Sequence, residues 1–249
     1  MSHLLNTIIV TGISGYLTSS IGILTGLLLS FFINRRGRRF RGTTLGFIGG
    51  LMLAIICFDL LPESFEAGSV YIVTIGITFG LLSAIILEGR IDHAYISGLN
   101  TKNKFLKAAI FMAIGIGIHN LPSGIALGAL YSSPIKELHL AMALILHGIP
   151  EGIAIGIFLK ENTAGLFSFL LISVFTSVPM GFGAIIGGIA SSISPLIICI
   201  SLSFASGMIL YIIYKETLPS AHDTWNGRLS SIGNVAGMIA GMLMVYYLH

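Results

Sequence analysis

Ile118-His119-Asn120-Leu121-Pro122-Ser123-Gly124 and Leu146-His147-Gly148-Ile149-Pro150-Glu151-Gly152 are two versions of one pattern. Each sets a His, a Pro three residues on, a small or acidic residue at the fourth place, then Gly. Both lie in long apolar segments. On a helix, residues four apart share a face, so His119 stacks with Ser123 and His147 with Glu151. Each Pro removes a backbone donor and is expected to free a carbonyl one turn earlier, at Ile118 and Leu146. In hydrocarbon such breaks persist where the freed carbonyl is re-satisfied or lines a cavity. Two imidazoles and a carboxylate in segments of hydrocarbon length are the ingredients of a divalent-metal site.

The surrounding chain fits a bilayer. Its 249 residues are 55% hydrophobic and 9% charged, against about 25% charged in soluble domains. The 31 glycines suit close helix contacts in lipid. The two cysteines, Cys57 and Cys199, sit apart in apolar runs and suggest neither a disulfide framework nor a ligand cluster. A span needs roughly 20 apolar residues. Eight fit, at about 7–33, 43–65, 69–89, 104–131, 136–159, 163–190, 194–216 and 229–248. The predicted fold class is therefore all-α, a polytopic membrane protein, with residues 1–249 as a single transmembrane domain. The N-terminus lacks the basic flank of a cleaved signal, so the first apolar run is expected to be retained.

Charge placement orients the spans. Arg35, Arg36, Arg38, Arg39 and Arg41 follow the first helix, and Arg90, Lys102, Lys104 and Lys107 surround the third connection. Lys160 follows the fifth helix, and Lys215 and Arg228 flank the end of the seventh. All of these fall on one side; of the 13 Lys and Arg residues only Lys136 falls on the other. The positive-inside rule makes the basic side cytoplasmic and places both termini outside the cell membrane. It also accounts for the Arg cluster, which sits in a tight loop, so no nucleic-acid partner is expected.

A diverged repeat links two spans. Gly50-Leu51-Met52-Leu53-Ala54-Ile55-Ile56-Cys57-Phe58-Asp59-Leu60-Leu61-Pro62 and Gly207-Met208-Ile209-Leu210-Tyr211-Ile212-Ile213-Tyr214-Lys215-Glu216-Thr217-Leu218-Pro219 share Gly, Leu, Ile-Ile, an acid and Leu-Pro in one register. The second and seventh helices run in opposite directions, so this is an inverted-topology repeat, a signature of many secondary transporters. Asp59 and Glu63 then lie near the outer face and Glu216 near the inner face. The unrepeated fourth and fifth helices carry the His motifs between the halves.

His119-Asn120-x-Pro122-x-Gly124 together with His147-x-x-Pro150-Glu151-Gly152 resembles the signature of ZIP metal transporters. The Leu-Pro endings, with Asp59, Glu63 or Glu216 beside them, are similar to the bacterial GufA-like branch. The resemblance implies eight helices in a three-two-three arrangement, a homodimer, and movement of divalent metal, typically zinc, into the cytoplasm. Carried onto this chain it makes His119, His147 and Glu151 the metal ligands, with Asn120 and Ser123 as lesser candidates. Asp59, Glu63 and Glu66 would mark the way in and Glu216 the way out. Zinc suits such a set, and Fe²⁺ and Mn²⁺ accept similar ligands. The chain departs from the pattern at Ser123, Gly148 and Val178, where the family places Glu, Asp or Asn, and Glu. With three polar ligands missing, one metal rather than two is expected.

Two other classes were weighed. A membrane haem protein would use His119 and His147 as axial ligands, but that leaves Glu151, the paired Pro-x-Gly and the inverted repeat without a role. An intramembrane metalloprotease would need His-Glu-x-x-His on one helix, which the sequence lacks, so no enzymatic activity is expected. The orientation is directly testable. A single Cys at Gly37 is expected to react with impermeant thiol reagents only from the cytoplasmic side, and one at Ser133 only from outside; the opposite pattern would invert entry and exit.

Overall fold

The structure is a computed structural model that describes residues 2–98, 104–160, 165–190 and 194–248. Lys102 and the side chains of Lys104 and Lys160, used above for orientation, lie outside that description. The described residues are helical, and eight helices are long and apolar enough to cross a membrane. They are α1 (Ser2–Asn34), α2 (Arg38–Ala67), α3 (Val70–Gly98), α4 (Lys104–Ala129), α5 (Pro134–Lys160), α6 (Leu166–Ile189), α7 (Pro195–Thr224) and α8 (Arg228–Leu248). Closed backbone hydrogen bonding makes the helix the economical spanning element in lipid.

The largest departure from the sequence reading is at the end of α3. The apolar run fades near Leu87 and the predicted span ends at 89, yet the helix continues to Gly98, carrying Asp92 and His93. Glu88 and Asp92, four residues apart, share a face and both engage Lys107 of α4. A partner across the gap thus sustains the helix beyond its apolar stretch. The prolines sit within the spans, as the predicted bounds had them. Pro122, Pro150 and Pro179 lie inside α4, α5 and α6, which continue through them.

The helices pack as two sets of four. In one set α1 packs on α5 and α6, and α4 on α6 and α5; in the other α2 packs on α8 and α3 on α7. Exchanging α1 with α6, α2 with α7, α3 with α8 and α4 with α5 maps this pattern onto itself, as a three-two-three inverted repeat requires. The repeat extends to local backbone. A single π turn interrupts α2 at Ile56–Leu60 and α7 at Ile213–Thr217, the same register of the repeated segment. Each is followed by a seven-residue helix opening Leu-Pro, Leu61–Ala67 and Leu218–Thr224.

Small residues close the contacts within each set. Gly22 and Gly26 of α1 lie against Gly148 and Gly152 of α5, and Gly183 and Gly187 of α6 lie against the carbonyls of Leu121 and Ile125 of α4. In the second set Gly50 and Gly237 meet the carbonyls of Asn234 and Phe47 between α2 and α8. Between the sets, bulky side chains such as Ile55, Phe111, Met112, Ile116, Phe158 and Ile209 fill the core. A Cβ at Gly237 would overlap the Phe47 carbonyl oxygen, whereas one at Gly89 would meet nothing within 4 Å. Gly237→Ala is therefore expected to cost about 1–3 kcal/mol of stability, read as a lower thermal midpoint in detergent, with Gly89→Ala unchanged.

Candidate metal site

His119 lies near the middle of α4 and His147 near the middle of α5, so the two short motifs meet at one depth. The imidazole centroids are 5.6 Å apart, with their planes tilted by 32°. Glu151, one turn beyond His147, sends its carboxylate to both rings. Its Oε1 is 3.5 Å from His147 Nε2 and 4.0 Å from His119 Nε2. The three residues can each offer a ligand atom within 4.8 Å of the others, and all three are buried. His119 Nδ1, His147 Nε2 and Glu151 Oε1 have no hydrogen-bond partner among the described residues. Buried polar atoms are nearly always paired, so the unpartnered His147 Nε2 and Glu151 Oε1, 3.5 Å apart and beside His119, suit a cation supplied from elsewhere. The carboxylate also stands beside both Nε2 atoms, which leaves the haem arrangement without a slot for a macrocycle.

A cavity of about 310 Å³ reaches this point from one side. Its walls include Asp59 and Glu63 of α2, Ser123 of α4, and Lys136, His139 and His147 of α5. It opens towards the α4–α5 connection, the side that the charge asymmetry assigns to the exterior. Ser123 thus shares the cavity with His119, as the spacing of four predicts. Glu66 is exposed and does not line it. Glu216 is half-buried on the opposite side of the histidine pair, next to Lys215.

Asn120 sits elsewhere on α4. It is buried, and its amide nitrogen donates to Ser19 Oγ of α1 at 3.1 Å and to the Thr176 carbonyl of α6 at 2.8 Å. It ties three helices together one residue away from a candidate ligand. The two other departures from the family pattern have a steric explanation. A side chain at Gly148 would meet the Gly22 Cα of α1 at 3.2 Å, so that position packs against α1. Val178 is 37% exposed, and its neighbour Ser177 is the buried residue, with an Oγ that lacks a partner among the described residues. At this turn of α6 the core is met by Ser177 rather than by Val178. Sequence reasoning also passed over Lys136 and His139 as cavity residues. Their place near the start of α5 was the available signal.

Comparison with known proteins identifies the family. Residues 97–249 match the model of the family described as ZIP Zinc transporter. The chain is 30% identical over 227 residues to the zinc transporter ZupT of Shigella dysenteriae, covering 86% of this chain and 87% of that protein. It is 28% identical over 246 residues to ZupT of Chlorobium limicola, covering 89% and 92%. With the zinc transporter GufA of Myxococcus xanthus it shares 30% identity over 139 residues, 55% of each chain. The chain belongs to the ZIP family, as a multi-pass membrane protein of the bacterial GufA/ZupT type.

The Asn120 clamp makes a separable prediction. Asn120→Ala leaves the Thr176 carbonyl and Ser19 hydroxyl without this donor, a loss of about 1–3 kcal/mol. It is expected to lower the thermal midpoint of the metal-free protein, whatever its effect on metal binding.

Proposed function

We propose that the protein carries divalent metal, zinc foremost, across the cell membrane into the cytoplasm, by alternating access around His119, His147 and Glu151. The observation that carries the reading is three buried donor residues, each with an atom short of a hydrogen-bond partner, two of which, His119 and His147, line a cavity open to one side. Membership of the ZIP family and the names of the ZupT relatives favour the same cargo. Two imidazole nitrogens and a carboxylate oxygen are a familiar zinc donor set that leaves a coordination position open. Fe²⁺ and Mn²⁺ accept it as well, and affinity order alone does not separate the metals. The protein acts as a transporter rather than an enzyme.

The steps follow from the residues. Asp59 and Glu63 in the cavity walls attract a dication. At the floor it meets neutral His119 and His147 and ionised Glu151. Ser123, on the same face as His119, can contribute its hydroxyl, and Asn120 holds α4 at the required depth. A bare carboxylate at mid-membrane costs about 2.5–3.5 kcal/mol or more, which the cargo offsets while it is bound. The site's net charge then stays near +1, a load that ordered water and helix dipoles can carry. A second dication at about 3.5–4 Å would have no further carboxylate to neutralise it. Relative movement of the two helix sets, whose mutual interface is made by side chains, would expose the ion to the inner side near Glu216. The reading includes the family's homodimer and both termini outside the cell.

Calorimetric titration with zinc tests it. One zinc per chain is expected, with binding lost in His119→Ala and Glu151→Ala and strengthened in Ser123→Glu. Imidazole ordinarily titrates near about 6.5 and must be neutral to bind. Affinity should therefore fall as pH drops from about 7 to about 5.5, with protons released on binding. Two zinc ions that both vanish in His119→Ala would overturn the single-metal reading. Pure protein in liposomes that takes up none of the three metals would overturn the function.

A further inference from the structure

The side opposite the cavity carries a charged cluster that joins the two helix sets. Glu88 of α3 is only 8% exposed. It accepts a hydrogen bond from the Tyr211 hydroxyl of α7 and an ion pair from Lys215 of α7 at 3.0 Å. Both partners belong to its own helix set. Lys107 of α4 belongs to the other set, and it reaches across to Glu88 at 3.8 Å and to Asp92 in closer contact. Glu216 lies within electrostatic reach of Lys107, Lys215, Glu88 and Asp92. So a cation on the set that carries the metal ligands is held by carboxylates of the set that does not.

We infer that Lys107 is an ionic latch that holds the inner side shut while the outer cavity is open. This rests on the alternating-access reading above. The inverted repeat supplies counterparts for Lys107 and Glu216, though not for Glu88 and Asp92, whose place in α8 holds no acid. The exchange of α4 with α5 and of α2 with α7 brings the Lys107 side of the molecule to Lys136, within one residue of register, and brings Glu216 to Asp59. Lys136, Asp59 and Glu63 all line the open cavity. In the alternate state that cavity collapses, bringing Lys136 towards those acids as Lys107 leaves Glu88 and Asp92. Tyr211 and Lys215 remain with Glu88 throughout. The buried carboxylate therefore keeps partners when the latch releases, which lets release occur at modest cost.

The test uses two reporter cysteines in the full chain with Cys57→Ser and Cys199→Ala. Met112→Cys lies two turns from His119 towards the inner end and is buried. Ala143→Cys lines the outer cavity. Reactivity towards an impermeant methanethiosulfonate is measured from each side of sealed vesicles, with and without external zinc. With Lys107 intact, zinc should shift reactivity from Ala143→Cys towards Met112→Cys. Lys107→Gln without zinc should raise the Met112→Cys rate about threefold to fivefold and lower the Ala143→Cys rate in step. The conservative Lys107→Arg, which keeps a cation facing both Glu88 and Asp92, should leave both rates near their starting values. If the reporters never exchange with Lys107 intact, alternating access fails and the latch with it. If they exchange but Lys107→Gln leaves both rates unchanged, the latch alone is overturned and the transport reading stands. A rise at Met112→Cys with no fall at Ala143→Cys means local loosening and also overturns the latch. A Lys107→Arg chain that behaves like Lys107→Gln does the same.

Discussion

A carboxylate buried between two imidazoles in the middle of a hydrocarbon-length bundle is the constraint around which this molecule is arranged. Glu151 is 1% exposed, and an isolated charge at that depth is costly. Its surroundings concede nothing to water except through the cavity. Gly148 and Gly152 on either side of it bring α1 close enough to shield α5, and His119 and His147 bound the remaining space. A larger residue at either glycine would push α1 away and let lipid or water reach the carboxylate. The packing of small residues and the chemistry of the donors are thus one arrangement seen from two directions.

The two helix sets divide the work. Backbone-to-backbone contacts mediated by glycine sit within each set and resist change, because a carbonyl against a Cα leaves no freedom to slide. Side chains such as Phe111, Met112 and Ile209 make the contacts between the sets, and flexible or rounded apolar side chains can exchange neighbours at small cost. The donors His119, His147 and Glu151 all ride on α4 and α5 of one set. Asp59, Glu63 and Glu216 belong to the other. On the proposed transport reading, the ligands would move as a group past acids that belong to the other set.

What the sequence disclosed follows from which constraints are local. Span number and order were legible because hydrocarbon thickness imposes length and apolarity on each segment separately. The His pair was legible because a spacing of four fixes a helix face. The inverted repeat was visible because Ile-Ile, an acid and Leu-Pro recur in register, and its matching π turns emerged only with the backbone. Rotation about a helix axis in a helix without a strong apolar face was not legible. Val178 and Ser177 differ by a single residue step, and only the packing of α6 on α1 and α4 decides which faces inward. The same is true of Asn120, whose partners Ser19 and Thr176 come from two distant segments. The end of α3 was missed because Glu88 and Asp92 depend on Lys107, across a connection whose geometry the sequence does not contain.

The π turns carry a consequence for the history of the chain. A π turn amounts to one extra residue inserted into an α-helix, and such insertions are usually costly and retained for function. Here the two insertions fall at matching positions, Ile56–Leu60 and Ile213–Thr217. Two independent insertions at one register would be a coincidence. A single insertion in an ancestral half, before it was copied and inverted, accounts for both. That half already held an acid at the bulge, and its descendants have since diverged to Asp59 beside an open cavity and Glu216 beside a charged cluster. The ancestor would have been a dimer of such halves, inserted in opposite orientations, with its two faces chemically alike.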